Sequence, residues 1–266
     1  MNRLIIAAVI AVISLVTYFS AREYNPVTRE TQHVDMTVKQ EIALGLQAAP
    51  EVAKQFGGLH ADQRGQAQVD NVGKRLVSKT EAGKTPYKFG FHVLADEKTI
   101  NAMALPGGQV FITAGLMKLL RTEGELAAVL GHEIGHVVAR HAAEHIAKAK
   151  LTEGLTGAAV IATYDPDRPS TQQTAAVAAL IGQLVNMRLG RKDELESDQL
   201  GVRFTSEAGY DPGAMIRVME VLAEASKGPR APEFFSTHPN PDRRVERIKA
   251  AIQEKFPNGV PDGWTK

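Results

Sequence analysis

Hydrophobic and polar positions divide this chain into segments of different period. An apolar-leaning run, Leu4 to Phe19, follows Met1 and Arg3, and the pattern is then mixed and polar up to "VKQEIALGLQAAPEVAKQF". That stretch, Val38 to Phe56, carries a modest helical recurrence interrupted at Pro50 and is read as a leading helix after a linker. Val69, Val72, Leu76 and Val77 then recur at helical spacing, after which "YKFGFHVL" alternates as a strand does. The turn Pro106-Gly107-Gly108 opens a second strand, "QVFITAGL". From Gly115 to Lys150 the period is again that of a helix, with Thr122 and Glu125 spaced as a capping box. Two Ala-rich helical stretches, "LTEGLTGAAVIAT" and "TQQTAAVAALIGQLVNM", flank "YDPDRPS", and each is too short to span a bilayer. Two further helices broken at Gly209 and Pro212, a loop through "KGPRAPEFFSTHPNPD" and a basic helix from about Arg243 complete the chain. The pattern predicts an α+β protein, mostly helical, with residues 1–21 as an N-terminal signal segment, 22–56 as linker and leading helix, and 57–266 as the main domain.

Composition narrows the chemistry. A net charge of +1 with scattered basic residues lacks the Lys/Arg stripe of a nucleic-acid binder. With no cysteine in the chain, disulfides, thiolate metal sites and a cysteine nucleophile are excluded, so any metal must sit on nitrogen and oxygen ligands. Arg3 ahead of the apolar run reads as an export signal. Its length lies between the core of a signal peptide and the roughly 20 residues of a spanning helix. Phe19 would occupy the third position before a cut following Ala21, which favours an uncleaved anchor with the remainder outside the cytoplasm.

Four of the eight histidines fall in "HEIGHVVARHAAEH", which contains both H-E-x-x-H and H-x-x-E-H. On one continuous helix His132 and His136 lie about 40° apart and can grip one ion. His141 and His145 then lie about 180° and 220° from His132, on the apolar stripe of Leu130, Ile134 and Val138, and are read as buried or boundary side chains. Glu133 sits about 100° from His132, as a base must that touches water without ligating the metal. Gly131 and Gly135 on that helix point to a close backbone approach.

A catalytic zinc takes three protein ligands and leaves one position open. No extended H-E-x-x-H-x-x-G-x-x-H pattern follows, so the third ligand is sought on a second helix. In "RKDELESDQLG", Glu194, Asp198 and Gly201 share one strip and Glu196 turns away by about 160°. Glu194 would ligate, and Asp198 would accept the free N–H of a ligating histidine.

These segments resemble the gluzincin zinc metallopeptidases, the family of the CAAX prenyl endopeptidases, HtpX and the periplasmic quality-control proteases. The likeness covers most of the chain. "HEIGH" is similar to the family's zinc helix and "ELESDQLG" to its E-x-E-A-D-x-x-G element, with Ser197 in place of the usual Ala. "NAMALPGGQVFITAGLM" resembles the strand segment N-A-F-A-x-P-G-G, with Met103 for Phe. It implies an edge strand beside the zinc that receives substrate backbone through Gly107, Gly108, Gln109, Val110 and Phe111. "STHPNPDRRV" is similar to an S/T-H-P-x-x-x-x-R element, which implies His238 and Arg244 near the site as polarising groups, or His238 as an occluding fourth ligand.

The resemblance implies a zincin-type fold whose small sheet has an edge strand bordering the zinc cleft. It implies one Zn2+ per chain on His132, His136 and Glu194, and Glu133 as the base of an endopeptidase. The expected substrates are unfolded or misfolded envelope proteins, met in the periplasm of a bacterium from an inner-membrane anchor. Here there is one N-terminal apolar segment rather than several, and no helical-repeat domain is expected after Lys266. The alternative is a non-proteolytic envelope chaperone on the same fold; a metal store using all four helix histidines is a further rival.

Overall fold

The computed structural model describes residues 3–163, 187, 189–228, 232–239 and 243–265. The Ala-rich stretch expected over 171–187 lies, Met187 apart, outside the described residues.

Helix α1 (Arg3–Ser20) packs along the later helix α6 (His141–Thr163). At 1.5 Å per residue its 18 residues reach about 27 Å, just under the roughly 30 Å of a hydrocarbon core. Among the described residues no helix is long and apolar enough to cross a membrane. The stretch read as a linker holds a hairpin, β1 (Arg22–Asn25) with β2 (Glu30–His33). Helix α2 (Val38–Gln55) runs through Pro50 without a break.

The expected change of period is present. Helix α3 (Gln63–Lys79) precedes β3 (Gly90–Leu94), β4 (Ala102–Leu105) and β5 (Gln109–Thr113), in the order β3-β5-β4. β3 pairs parallel and β4 antiparallel to β5. Alternate side chains serve two cores: Phe91, Val93, Val110 and Ile112 face one that includes α3, while Leu94, Met103, Leu105 and Phe111 face Leu44, Ala48 and Val52 of α2.

This order corrects the strand expected at the site. Gln109, Val110 and Phe111 lie on the central strand, whose two edges are already taken by β3 and β4. Gly107 and Gly108 form the turn before it with φ of 80° and 108°, and a Cβ on Gly107 would fall 2.4 Å from the Ile42 backbone. The edge strand that borders the site is β4, one strand earlier.

After a short α4 (Ala114–Met117), helix α5 (Glu123–Val138) carries H-E-x-x-H. Thr122 accepts from the Glu125 amide, while the Glu125 carboxylate takes the Arg121 N–H, one residue outside a reciprocal box. Helix α5 does not continue into α6. Arg140 stands between them in the left-handed region, φ 59°, and the chain changes direction there. Its buried guanidinium binds Glu41 (2.9 Å), the Met36 carbonyl (2.7 Å) and Glu23 (2.6 Å). The hairpin side chains Asn25 and Gln32 donate to the Val138 and Ala139 carbonyls, satisfying the end of α5.

Helix α7 (Arg191–Glu207) lies against α5, followed by α8 (Ala214–Ala225), the single turn α9 (Phe234–Thr237) and α10 (Arg244–Lys255). The expected close approach is present at Gly131 and Gly135, and Gly201 meets them from the facing helix. A Cβ on Gly135 would stand 3.2 Å from the Ser197 backbone, and one on Gly201 would stand 3.2 Å from the His132 nitrogen.

Candidate metal centre

Helices α5 and α7 bring His132, His136 and Glu194 together. His132 and His136, one turn apart, turn their Nε2 atoms to within 3.0 Å of each other. The Glu194 carboxylate stands 3.5 Å from each Nε2, and one ligand atom from each of these residues and His238 lies within 4.8 Å of every other. All four side chains are buried. Tetrahedral bonds of about 2.0–2.1 Å separate ligand atoms by about 3.3 Å, so this donor set fits a metal of zinc's size and preference.

Each ligand has its own support. The His132 Nδ1 lies 3.0 Å from Asp198 Oδ1, one turn beyond Glu194 on α7. Asp198 has the expected place behind a histidine. Arg244 lies behind the ligands: its Nε and Nη2 bind Asp198 at 2.7 and 2.8 Å, and its Nη1 lies 3.2 Å from Glu194. Fully buried and bonded to two carboxylates, it does not border the cavity over the site.

The electrostatics follow from burial and these contacts. Burial opposes a proton on His132, but Asp198 and Glu194 outweigh it and push the imidazole up to about 9. Burial, reinforced by the charge of His132, holds His136 well below its ordinary value. Burial raises Glu194, yet His238 and His132 together keep it well below the usual carboxylate range. Glu133 is pushed up by burial, with both carboxylate oxygens enclosed and without a hydrogen-bond partner. The His238 Nε2 lies 3.6 Å from its Oε1.

His238 arrives from the loop after α9. Its ring stacks on Phe234 with centroids 4.4 Å apart, and its Nδ1 lies 3.0 Å from Glu194. The loop is pinned where the Leu189 N–H donates to the Thr237 carbonyl. A cavity of about 50 Å³ lies between Met103–Pro106 around β4, Glu133, His136 and the Thr237–His238 loop. A volume of that size admits water but not a peptide. Helix α2 borders it through Glu41 and the loop through Thr237 and His238, and it is the loop that reaches the ligands.

The second histidine pair is not where a continuous helix would put it. Because the chain turns at Arg140, His141 Nδ1 comes to 2.8 Å from His136 Nδ1 and its Nε2 to 3.1 Å from Glu196. His145 pairs with Asp193 at 2.7 Å, away from the cluster. Neither belongs to the group of ligand atoms. No periodicity signals a left-handed arginine, so sequence reasoning missed His141 and Glu196.

Two imidazoles and a carboxylate converging on one point, with an unpartnered glutamate beside them, define a metallopeptidase site. The chain belongs to peptidase family M48, whose model matches residues 63–252. It is 33% identical over 251 residues to the mitochondrial metalloendopeptidase OMA1 of Schizosaccharomyces pombe, across 90% of this chain and 69% of that one. It is 35% identical over 195 residues to the beta-barrel assembly-enhancing protease of Escherichia coli K12, across 71% of this chain but only 39% of that protein. To OMA1 of Saccharomyces cerevisiae it is 34% identical over 167 residues, 60% of this chain and 46% of the other. The protein is a metalloendopeptidase, and its substrates are proteins.

Proposed function

We propose that the metal is zinc, one per chain, held by His132, His136 and Glu194, and that the enzyme cuts unfolded or damaged proteins of the bacterial cell envelope. The convergence of these three side chains beside the unpartnered Glu133 carries the reading. When bound, zinc supplies a Lewis acid that acidifies water from a pKa of 15.7 to about 7 and polarises the scissile carbonyl. Glu133 takes the proton of the attacking water at its carboxylate and passes it to the leaving amine. Its raised proton affinity suits both halves of that task. Asp198 and Arg244 hold His132 and Glu194 in place.

Substrate backbone adds to the outer edge of β4, beside the cavity, rather than to residues 107–111. His238, whose ligand atom lies within reach of the other three, would hold the fourth position of a resting site, a position that a catalytic zinc must have free. The loop carrying it must withdraw to admit a peptide. Helix α1 anchors the protein to the inner membrane from the periplasmic side. Exposed Leu4, Ile5, Val9, Val12, Ile13, Val16 and Phe19 support this.

The test is elemental analysis and casein cleavage by the full chain, for wild type, Glu133→Gln and Glu194→Ala. One zinc in wild type, retained in Glu133→Gln with cleavage lost by about 10²–10⁴-fold, and lost in Glu194→Ala, is the expected result. Casein binding that survives metal removal and Glu133→Gln, with no product from the metal-loaded wild type on any unfolded substrate, would establish the non-proteolytic chaperone instead.

A further inference from the structure

His132 is backed by a carboxylate, as ligating histidines usually are. His136 is backed by another histidine. We infer that His141, with Glu196 behind it, is a positioning pair that fixes the tautomer and ring plane of the metal ligand His136; this rests on the metallopeptidase reading.

The contacts run in one line. His136 Nε2 faces His132 and Glu194, leaving its Nδ1 against His141 Nδ1 at 2.8 Å, while His141 Nε2 meets the Glu196 carboxylate at 3.1 Å. With neutral rings a single arrangement of protons satisfies every atom. Nε2 of His136 keeps its lone pair for a metal, Nδ1–H donates to the bare Nδ1 of His141, and the N–H of His141 Nε2 donates to Glu196, which accepts. The opposite tautomer of His136 would set two lone pairs against each other, either between the two Nδ1 atoms at 2.8 Å or, with His141 turned to donate, between His141 Nε2 and Glu196 at 3.1 Å, and would place an N–H where the metal must sit. The relay therefore selects the metal-binding form of His136 before any metal arrives.

The backbone is built to make this contact. On a continuous helix His141 would lie on the far side of α5, and the left-handed Arg140, tied to Glu41, Glu23 and Met36, returns it to the near side. His145 adds a second tie on the same face of α6. It binds Asp193, whose carboxylate also accepts the Gly190 N–H at the start of α7. The first turns of α6 and α7 are thus joined twice, and Glu194, between Asp193 and Glu196 in the chain, is delivered with them. Glu196 is 19% exposed at the edge of the site, so the relay runs from the ligand toward solvent.

The test is Zn2+ affinity of the full chain, read by competition with a chromogenic chelator, together with the visible absorption of the Co2+-loaded protein. His141→Leu keeps bulk without an acceptor. His141→Asn offers its amide oxygen near the place of Nδ1. Weakening of about 10–100-fold in His141→Leu with a shifted Co2+ spectrum, and recovery to within about threefold in His141→Asn, is the expected result. Equal affinity in His141→Leu and wild type overturns the inference, and so does equal weakening by both variants. If His141→Leu fails to fold, Glu196→Ala reads the same relay at a partly exposed position: weakening of several-fold upholds it, unchanged affinity sinks it. A wild type that binds no zinc would remove the metallopeptidase reading first, a failure distinct from one confined to His141.

Discussion

Arg244 grips Asp198 through two parallel hydrogen bonds of 2.7 and 2.8 Å, and Asp198 faces the Nδ1 of His132 at 3.0 Å. The helix α10 residue thereby reaches the metal site without touching a ligand atom of His132. Removing the guanidinium leaves the buried Asp198 carboxylate without its main cation and withdraws a charge from Glu194, a loss on the order of 3–5 kcal/mol. Arg244→Leu should therefore unfold at distinctly lower denaturant and bind zinc about 10–100-fold more weakly. Arg244→Lys restores the charge but not the fork and should fall between the two. Equilibrium denaturation with zinc competition checks both, and an Arg244→Leu protein as stable as wild type would refute the arrangement.

In the metal-free protein His132 is held up to about 9 by Asp198 and Glu194, whereas His136 is held well below its ordinary value. At pH 7.5 the first carries a proton and the second does not. Zinc must displace that proton, so binding should release about one proton per chain and tighten about tenfold per pH unit from pH 6.5 up toward 9. The sign for folding is opposite. A group raised from 6.5 to about 9 contributes stability that is complete below 6.5 and is lost as pH climbs through 9. Calorimetry in buffers of different ionisation enthalpy reads the proton count; a value near zero at pH 7.5 would contradict the assignment.

Most of the site was legible from sequence because it depends on two helical strips. Spacing alone places His132 with His136, and Glu194 with Asp198 and Gly201, and the glycines indicate that the two strips touch. Three features were not legible, for separate reasons. The turn at Arg140 comes from ion pairs to Glu23 and Glu41, more than 95 residues earlier, which no local pattern encodes. The strand "AMAL" is too short for its alternation to register, so the edge position went to the longer β5. The hairpin of residues 22–33 is polar outward and earns its place by capping α5 through Asn25 and Gln32, a role that looks like linker composition.

Ser197 stands where the family's usual residue is Ala, on the buried side of α7 against Gly135. Its hydroxyl is enclosed and has no hydrogen-bond partner. An unmet buried hydroxyl costs on the order of 1–3 kcal/mol, and Ala is also the better helix former. Ser197→Ala should raise Tm by about 2–6 °C without changing zinc content. A thermal scan that shows a lower Tm would mean the hydroxyl has a partner after all.

Gly201 sets how closely α7 approaches the metal helix. A Cβ there would meet the Met215 terminal methyl at 2.8 Å and the His132 nitrogen and Cα at 3.2 and 3.3 Å. The methionine end is flexible and moves at little cost, but the backbone of α5 is held by its own hydrogen bonds. On an isolated helix Gly→Ala gains about 1 kcal/mol, so the sign of the measured change decides whether helix contact outweighs propensity. Overpacking of about 1–3 kcal/mol should win, giving Gly201→Ala a lower Tm. The separation it forces is a few tenths of an ångström between α5 and α7. That is enough to strain ligands drawn from both helices, so zinc affinity should fall as well. Adding Met215→Ala removes the soft contact and leaves the hard one, and the double variant should stay weakened in zinc binding. Full recovery of affinity in the double variant would show that the methionine, not the approach of the two helices, limits the site.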